Sequence, residues 1–393
     1  MKHQHLLLIL LLGYFSCSFG QTPALSSSSY ISVITCGPGE ELYSTFGHSA
    51  IRVQDATLGI DVVYNYGHFN FNTPNFYLKF TRGKLLYSLS RERFENFLFS
   101  YELEKRWVKE QILDLTLDEK NTLFNFLEQN YQPLNRDYKY DFLFNNCATK
   151  IPAILEKIYG EGLIFSDTHL TEQYTFRQLI RQNIHVNSWS AFGIDLALGS
   201  VIDKEASPNE YMFLPNYVHE QLNNTILGNK PLVARERIVL DIEEVPSGNY
   251  FLASPLFWFI VIFFFVLTIT YIDFRNKTRS KWLDFFVFFV TGIAGCLITF
   301  LWFFTDHTAT AGNFNILWAF PANIALAFMV ISSNKLPSWF QKYIWLLLGL
   351  IVITLVLWIV GVQIFSPIII PILLTLTIRY LFLHWKHTND AVL

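Results

Sequence analysis

Charge is scarce in this sequence: only 16% of its 393 residues are Asp, Glu, Lys or Arg, and 29 basic against 32 acidic residues leave a net charge of −3. With no basic excess to meet a phosphate backbone, nucleic acid is excluded as a partner. Cysteine is scarcer still. The four residues Cys17, Cys36, Cys147 and Cys296 match no zinc spacing, so no metal or cofactor is expected. Long apolar runs are missing from residues 21–250 and crowd the part beyond, where most of the 52% hydrophobic and 17% aromatic content collects. The chain therefore divides into two modules.

The first 20 residues read as a secretory signal, with Lys2 ahead of an apolar core over 6–15 and the small residues Ser18 and Gly20 before a cut after Gly20. That core is too short to span a bilayer. A lipid-attachment reading at Cys17 competes, but Tyr14, Phe15 and Ser16 match it poorly. Export places the domain beyond Gly20 in an oxidising compartment. Five apolar stretches, 251–272, 282–305, 314–333, 343–365 and 368–384, come near the length of a spanning helix. The loop with Arg275, Lys277, Arg279 and Lys281 is basic, whereas 306–313 has no Lys or Arg; Lys335, Lys342, Arg379 and Lys386 agree on one orientation. By the positive-inside rule, the exported domain and the 306–313 loop share the outer face. Asp306 and His307 then surface beneath that domain, where they could contact a lipid headgroup; alternatively, they are polar because a loop needs polar residues.

The exported domain reads as α+β. Strands are expected over 30–35, 49–54 and 62–66, turn chemistry and a short helix over 36–44, and a strand-like run over 77–90. Next come a helix over 92–104, a strand over 108–115, and a helix opened by the Thr116–Glu119 capping box. A further helix starting at Cys147 ends near Gly160 or Gly162, and Pro152 inside it must kink or divide it. Residues 163–250 read as a helical extension packed between this core and the membrane, with Asp195 and Asp203 structural. The division is therefore 1–20 signal, 21–162 catalytic domain, 163–250 helical extension, and 251–393 an all-α bundle of about five transmembrane helices.

Chemistry centres on Cys147. Asn146 before it is a strong helix N-cap type, and a thiol among the unpaired N–H groups of a helix start is biased toward thiolate. His48, opening an alternating strand, is the base such a nucleophile needs. Two other readings stay open: Cys147 as a structural thiol or as one oxidised against Cys36, with His48 merely pairing with backbone.

Five blocks carry a resemblance: 35–44, beginning Thr35, Cys36, Gly37, Pro38; 46–53 around His48; 64–67 (Tyr64, Asn65, Tyr66, Gly67); 75–80 with Gly83, Lys84 and Leu85; and 145–149 around Cys147. In this order they resemble the lipoprotein N-acyltransferases of the Bacteroides type, the Lnb family. The resemblance implies a permuted papain-like core, related to the NlpC/P60 and lecithin:retinol acyltransferase folds, in which His precedes Cys. It implies a periplasmic domain on a multi-pass inner-membrane protein. The implied activity moves an acyl chain from a membrane phospholipid, through a Cys147 thioester, to the N-terminal α-amino group of diacylated lipoproteins. His48 would be the base, with Asn65 and Asn146 as orienting or oxyanion residues. His68 has no counterpart in that machinery. The alternative from another class is a membrane-tethered cysteine peptidase or amidase acting on cell-wall peptides, and a third is a scaffold held by a Cys36–Cys147 bridge.

Overall fold

Alternating apolar residues near the start of the exported domain form β1 (Tyr30–Cys36), which is buried on both faces because Ile31 and Val33 turn to one side and Ile34 and Cys36 to the other. The computed structural model describes residues 23–243, 251–333 and 335–390, so the expected signal at 1–20, with Cys17, lies outside the described residues. After β1 come β2 (His48–Asp55), β3 (Ile60–His68), α1 (Phe76–Thr81), β4 (Leu86–Arg93), α2 (Phe94–Leu103), β5 (Val108–Leu113), α3 (Leu117–Tyr131), β6 (Asp137–Lys139) and α4 (Cys147–Tyr159). The chain continues through β7 (Leu163–Phe165), α5 (Phe176–Arg181), α6 (Trp189–Ala197), α7 (Pro215–Asn223), β8 (Thr225–Leu227), β9 (Lys230–Pro231) and β10 (Val233–Leu240).

A seven-stranded sheet runs in the order β10-β5-β1-β2-β3-β4-β6 with antiparallel pairing throughout. One face is covered by Leu123, Phe124 and Leu127 of α3 and by Ile151, Ile154 and Leu155 of α4. The other face takes Phe94, Phe97 and Tyr101 of α2. Buried charge on the α2 face is matched: Glu110 accepts from Ser32, from Arg52 at 3.1 Å and from Arg237 at 2.6 Å. The Arg237 pair fastens the outermost strand, β10, to β5.

That strand adds sheet to the helical extension expected over 163–250. The segment also supplies β7, β8 and β9, which form a small second sheet, and then returns to the main one. Arg235, Glu236 and Arg237 lie exposed on β10, as an edge strand's charges do, and its partner β5 is remote in sequence, so no local pattern announces it. The run over 77–90 is likewise not one strand. Phe76 and Phe80 stack on successive turns of α1 at 6.2 Å, and the chain turns at Arg82 and Gly83 before β4 begins. Residues 36–44 form turns without the short helix. Pro152 sits inside α4 without dividing it; its missing N–H leaves the Ala148 carbonyl without the usual helical donor.

The C-terminal part is helical: α8 (Pro255–Asn276), α9 (Lys281–Phe303), α10 (Asn323–Ser332), α11 (Trp339–Ile359) and α12 (Ile370–Asp390). Four of its helices are long and apolar enough to cross a membrane, and α10 is a shorter apolar helix. The third expected span, 314–333, is therefore α-helical only in its second half, with one 3-10 turn at Phe314–Ile316 before it. Its first half is kept from forming an α-helix by Asn313, which donates to the Leu196 and Ala197 carbonyls at 2.8 and 3.0 Å, by Asn315, which donates to the Asp195 carbonyl at 3.0 Å, and by Pro321.

These bonds dock the extension on the outer ends of the helices. Arg177, 1% exposed, is the centre of the joint: it pairs with Asp195 at 2.8 Å and Asp203 at 2.7 Å and donates to the Gly199 carbonyl at 3.0 Å. Arg181 shares Asp195 at 2.9 Å and reaches the Phe365 carbonyl before α12. Both aspartates are structural here.

Within the bundle, Arg379 of α12 is fully buried between Asp273 of α8 at 2.9 Å and Asp284 of α9 at 2.7 Å, with Arg279 on the far oxygen of Asp284 at 3.0 Å. Two cations and two anions cancel, which matters where an unpaired charge costs several kcal/mol. Arg379→Met is expected to lower unfolding free energy in detergent by about 3–5 kcal/mol. Adding Asp273→Asn and Asp284→Asn to it should recover part of the loss, read by thermal unfolding of the purified chain; full stability in the single variant would refute the pairing.

Candidate active site

Asn146 begins the site, because it determines where α4 starts. Its Oδ1 accepts from the backbone N–H groups of Ala148 and Thr149, each at 2.9 Å, while the Thr149 hydroxyl accepts from the Asn146 N–H at 2.8 Å. This two-way cap satisfies the first turn and leaves the Cys147 N–H, first of the helix, without a capping partner. The Asn146 Nδ2 donates to the carbonyls of Phe142 and Phe213, each at 2.8 Å. With both donors engaged, this side chain caps and anchors; it has none left for an oxyanion.

His48 arrives from the other side on β2. Gly47 before it has φ +79, and a Cβ there would stand 2.7 Å from the Cys36 carbonyl oxygen, so only glycine allows β2 to begin at the histidine. On β3, a register break between Asn65 and His68 re-aims the strand next to the pair. Gly67 in that break has φ +99 and faces the gap, 3.8 Å from Cys147 Cβ and 4.0 Å from His48 Cε1 when measured from where its own Cβ would be. Asn65 accepts a hydrogen bond from His48 Nε2–H at 2.6 Å. That leaves Nδ1 as the nitrogen available to the thiol.

The electrostatics derive from this geometry. Burial by itself opposes charge on Cys147. The charge and hydrogen bond of His48, with the backbone N–H groups of Ser49 and Ala148, outweigh that penalty and bring the thiol below its ordinary value. His48 shifts the opposite way: burial disfavours the imidazolium, but the thiolate and the Asn65 bond overcome it, and its pKa rises. The pair therefore favours thiolate and imidazolium together. Cys36 behaves otherwise: fully buried beside Tyr101, it is pushed up to about 12, and neither it nor Cys147 is bridged.

Sequence reasoning missed two tyrosines here. Tyr138 and Tyr140 are held well above the usual phenol range, first by burial and then by the charge on Cys147, which places both within that charge's field. The Tyr138 hydroxyl is buried with the Gly67 backbone N–H beside it, and Tyr140 stacks on Tyr87 at 4.3 Å. Their position depends on the pairing of β4 with the three-residue strand β6, which no local pattern marks.

Asp306 and His307 are bonded to the exported domain. The Asp306 N–H donates to the Arg82 carbonyl at 2.9 Å, its carboxylate lies 3.7 Å from Lys139, and His307 Nε2 meets the Thr81 carbonyl at 3.2 Å. Next to them the Thr308 hydroxyl donates to Asp141 at 2.6 Å. Asp141 in turn accepts from the Leu143 and Phe144 N–H groups at 2.9 and 3.0 Å, forming the turn that leads into Asn146 and Cys147. The loop leaving the helical bundle is thus bonded to the segment that presents the thiol.

Residues 21–182 match the family model described as the Lnb N-terminal periplasmic domain, and residues 247–390 match the Lnb transmembrane domain. No curated protein and no solved structure matches the chain.

Alkylation of Cys147 by iodoacetamide, followed against pH on the full chain, is expected to inflect below the pH at which ordinary thiols react. His48→Ala should move the inflection upward, because it removes the charge that stabilises the thiolate. An unchanged inflection would show that the imidazole does not act on the sulfur.

Proposed function

Because the chain belongs to the Lnb family and is a membrane protein with a periplasmic N-terminal domain, we propose that it is an inner-membrane lipoprotein N-acyltransferase with a permuted papain-like core and Cys147 as nucleophile. The observation that carries this reading is the Cys147–His48 pair, shifted toward thiolate and imidazolium and fastened to the membrane bundle through Asp141 and Thr308.

The thiolate attacks an ester carbonyl of a membrane phospholipid, and the carbonyl oxygen takes the negative charge. The Cys147 N–H stabilises that oxygen, joined by the Tyr138 O–H, which is free to donate while its oxygen accepts from the Gly67 N–H. As the ester C–O bond breaks, His48 gives its proton to the departing alkoxide, leaving a lysophospholipid and a Cys147 thioester. Neutral His48 next takes a proton from the α-amino group of a diacylated lipoprotein as that nitrogen attacks the thioester. The C–S bond breaks, an amide is formed, and thiolate and imidazolium are restored. Asn65 keeps the imidazole oriented throughout. Donor and acceptor both remain anchored in lipid, which avoids exposing acyl methylenes at about 0.8 kcal/mol each. The same fastening weighs against an amidase acting on soluble peptide, which has no need of it.

Mass spectrometry of lipoprotein N-terminal peptides is expected to show the third acyl chain in cells with this protein and its loss when the gene is deleted, with no other such acyltransferase present. Cys147→Ala and His48→Ala should each fail to restore it while the protein still accumulates in the membrane. Transfer surviving Cys147→Ala would reject the thioester. Tyr138→Phe is expected to lower kcat about 100-fold with KM little changed; an unaltered kcat would remove Tyr138 from the oxyanion site.

A further inference from the structure

Beside α1 lies a cavity of about 320 Å³ whose lining includes Lys79, Lys84 and Arg136, with Asp137 as its carboxylate and Asn70 and Thr73 as neutral polar groups. Among the described residues none of the three cations forms an ion pair, although they converge on one space. Three like charges held together repel one another, and an anion between them removes that cost. The cavity is level with the outer end of the helical bundle. Gly83, next to Lys84, packs against the backbone of Asp306 and His307, and Lys139, two residues from Asp137, approaches Asp306 at 3.7 Å.

This helix and the turn before it expose a large apolar surface. Phe71, Tyr77, Leu78 and Phe80 are 68%, 78%, 58% and 50% exposed, next to the loop that leaves α9. Aromatic side chains beside lysines, continuous with a membrane-spanning bundle, are the composition of a segment that lies in the headgroup layer. The adjacent strand β3, which carries Asn65 and Gly67, pairs His68 with Ser88 of β4, and Ser88 lines the cavity.

We infer that this cavity binds the phosphodiester of an outer-leaflet phospholipid, with α1 and Phe71 set among its acyl chains, so that the donor is held by its headgroup next to the strand that flanks the thiol. This deepens the acyltransferase reading and rests on it for the word donor, but the binding itself is measurable without turnover.

The test is native mass spectrometry of the full chain carrying Cys147→Ala, stripped of endogenous lipid and titrated with phosphatidylglycerol, diacylglycerol or inorganic phosphate. Phosphatidylglycerol is expected to be retained, and to bind about tenfold more weakly for each cation removed in the series Lys79→Gln, Lys84→Gln, Arg136→Gln. Lys84→Arg should retain it, which separates loss of charge from misfolding, and Lys335→Gln at the other end of the bundle should change nothing. Diacylglycerol, lacking the phosphate, should not respond to the series. Equal retention of phosphatidylglycerol by the triple variant overturns the site. Binding of inorganic phosphate without phospholipid makes it a free-anion site and overturns the lipid assignment. Retained binding in a protein whose wild-type form transfers no acyl chain would instead sink the acyltransferase reading alone.

Discussion

A negatively charged sulfur is costly to hold in a protein interior, and the arrangement around Cys147 exists to offset that cost. Three contributions converge: an imidazole from β2, backbone N–H groups of Ser49 and Ala148, and the start of α4 itself. None can be supplied by one stretch of chain. The sheet must bring β2 and β3 together, α4 must pack on it through Ile151, Ile154 and Leu155, and Gly47 must let β2 begin where it does. The packing of the exported domain is in this sense the means by which one charge is tolerated.

The same thiol is referenced to the bilayer by a second, separate set of contacts. Arg177 with Asp195 and Asp203 holds the extension rigid, Asn313 and Asn315 tie it to the outer loops, and Thr308 bonds the turn before Asn146. Asp306 and His307 belong to this joint: their polar atoms engage Arg82, Thr81 and Lys139 of the exported domain. The joint combines these directional bonds with apolar packing of Phe192 and Leu196 against the bundle, and hydrogen bonds aimed at single carbonyls fix orientation where apolar packing alone would tolerate sliding.

How much of this was legible in the sequence depended on whether the signal was local. The Cys147 helix start and the Thr116–Glu119 box could be read because a cap is written within four residues, and the structure forms both. His48 and Asn65 could be named from the strands they sit on, although their meeting could not. Tyr138, β10 and the cavity beside α1 were invisible, since each arises from pairing between segments far apart: β4 with β6, and β5 with a strand some 120 residues later. The misreadings have a related cause. Residues 77–90 are amphipathic and 314–333 apolar, each enough to pass for one element, and in both a non-helical, non-strand stretch divides the run.

The buried cluster in the bundle bears on how the protein is made. Asp273 and Asp284 lie on the first two long helices, whereas Arg379 lies on the last. During synthesis the acidic pair therefore leaves the ribosome well before its guanidinium partner, with Arg279 beside Asp284 and Thr278 and Ser280 beside Asp273 in the interval. The clasp closes only once the carboxyl end is made, and a chain truncated ahead of the final helix keeps the earlier hydrophobic segments yet lacks the guanidinium that gathers them.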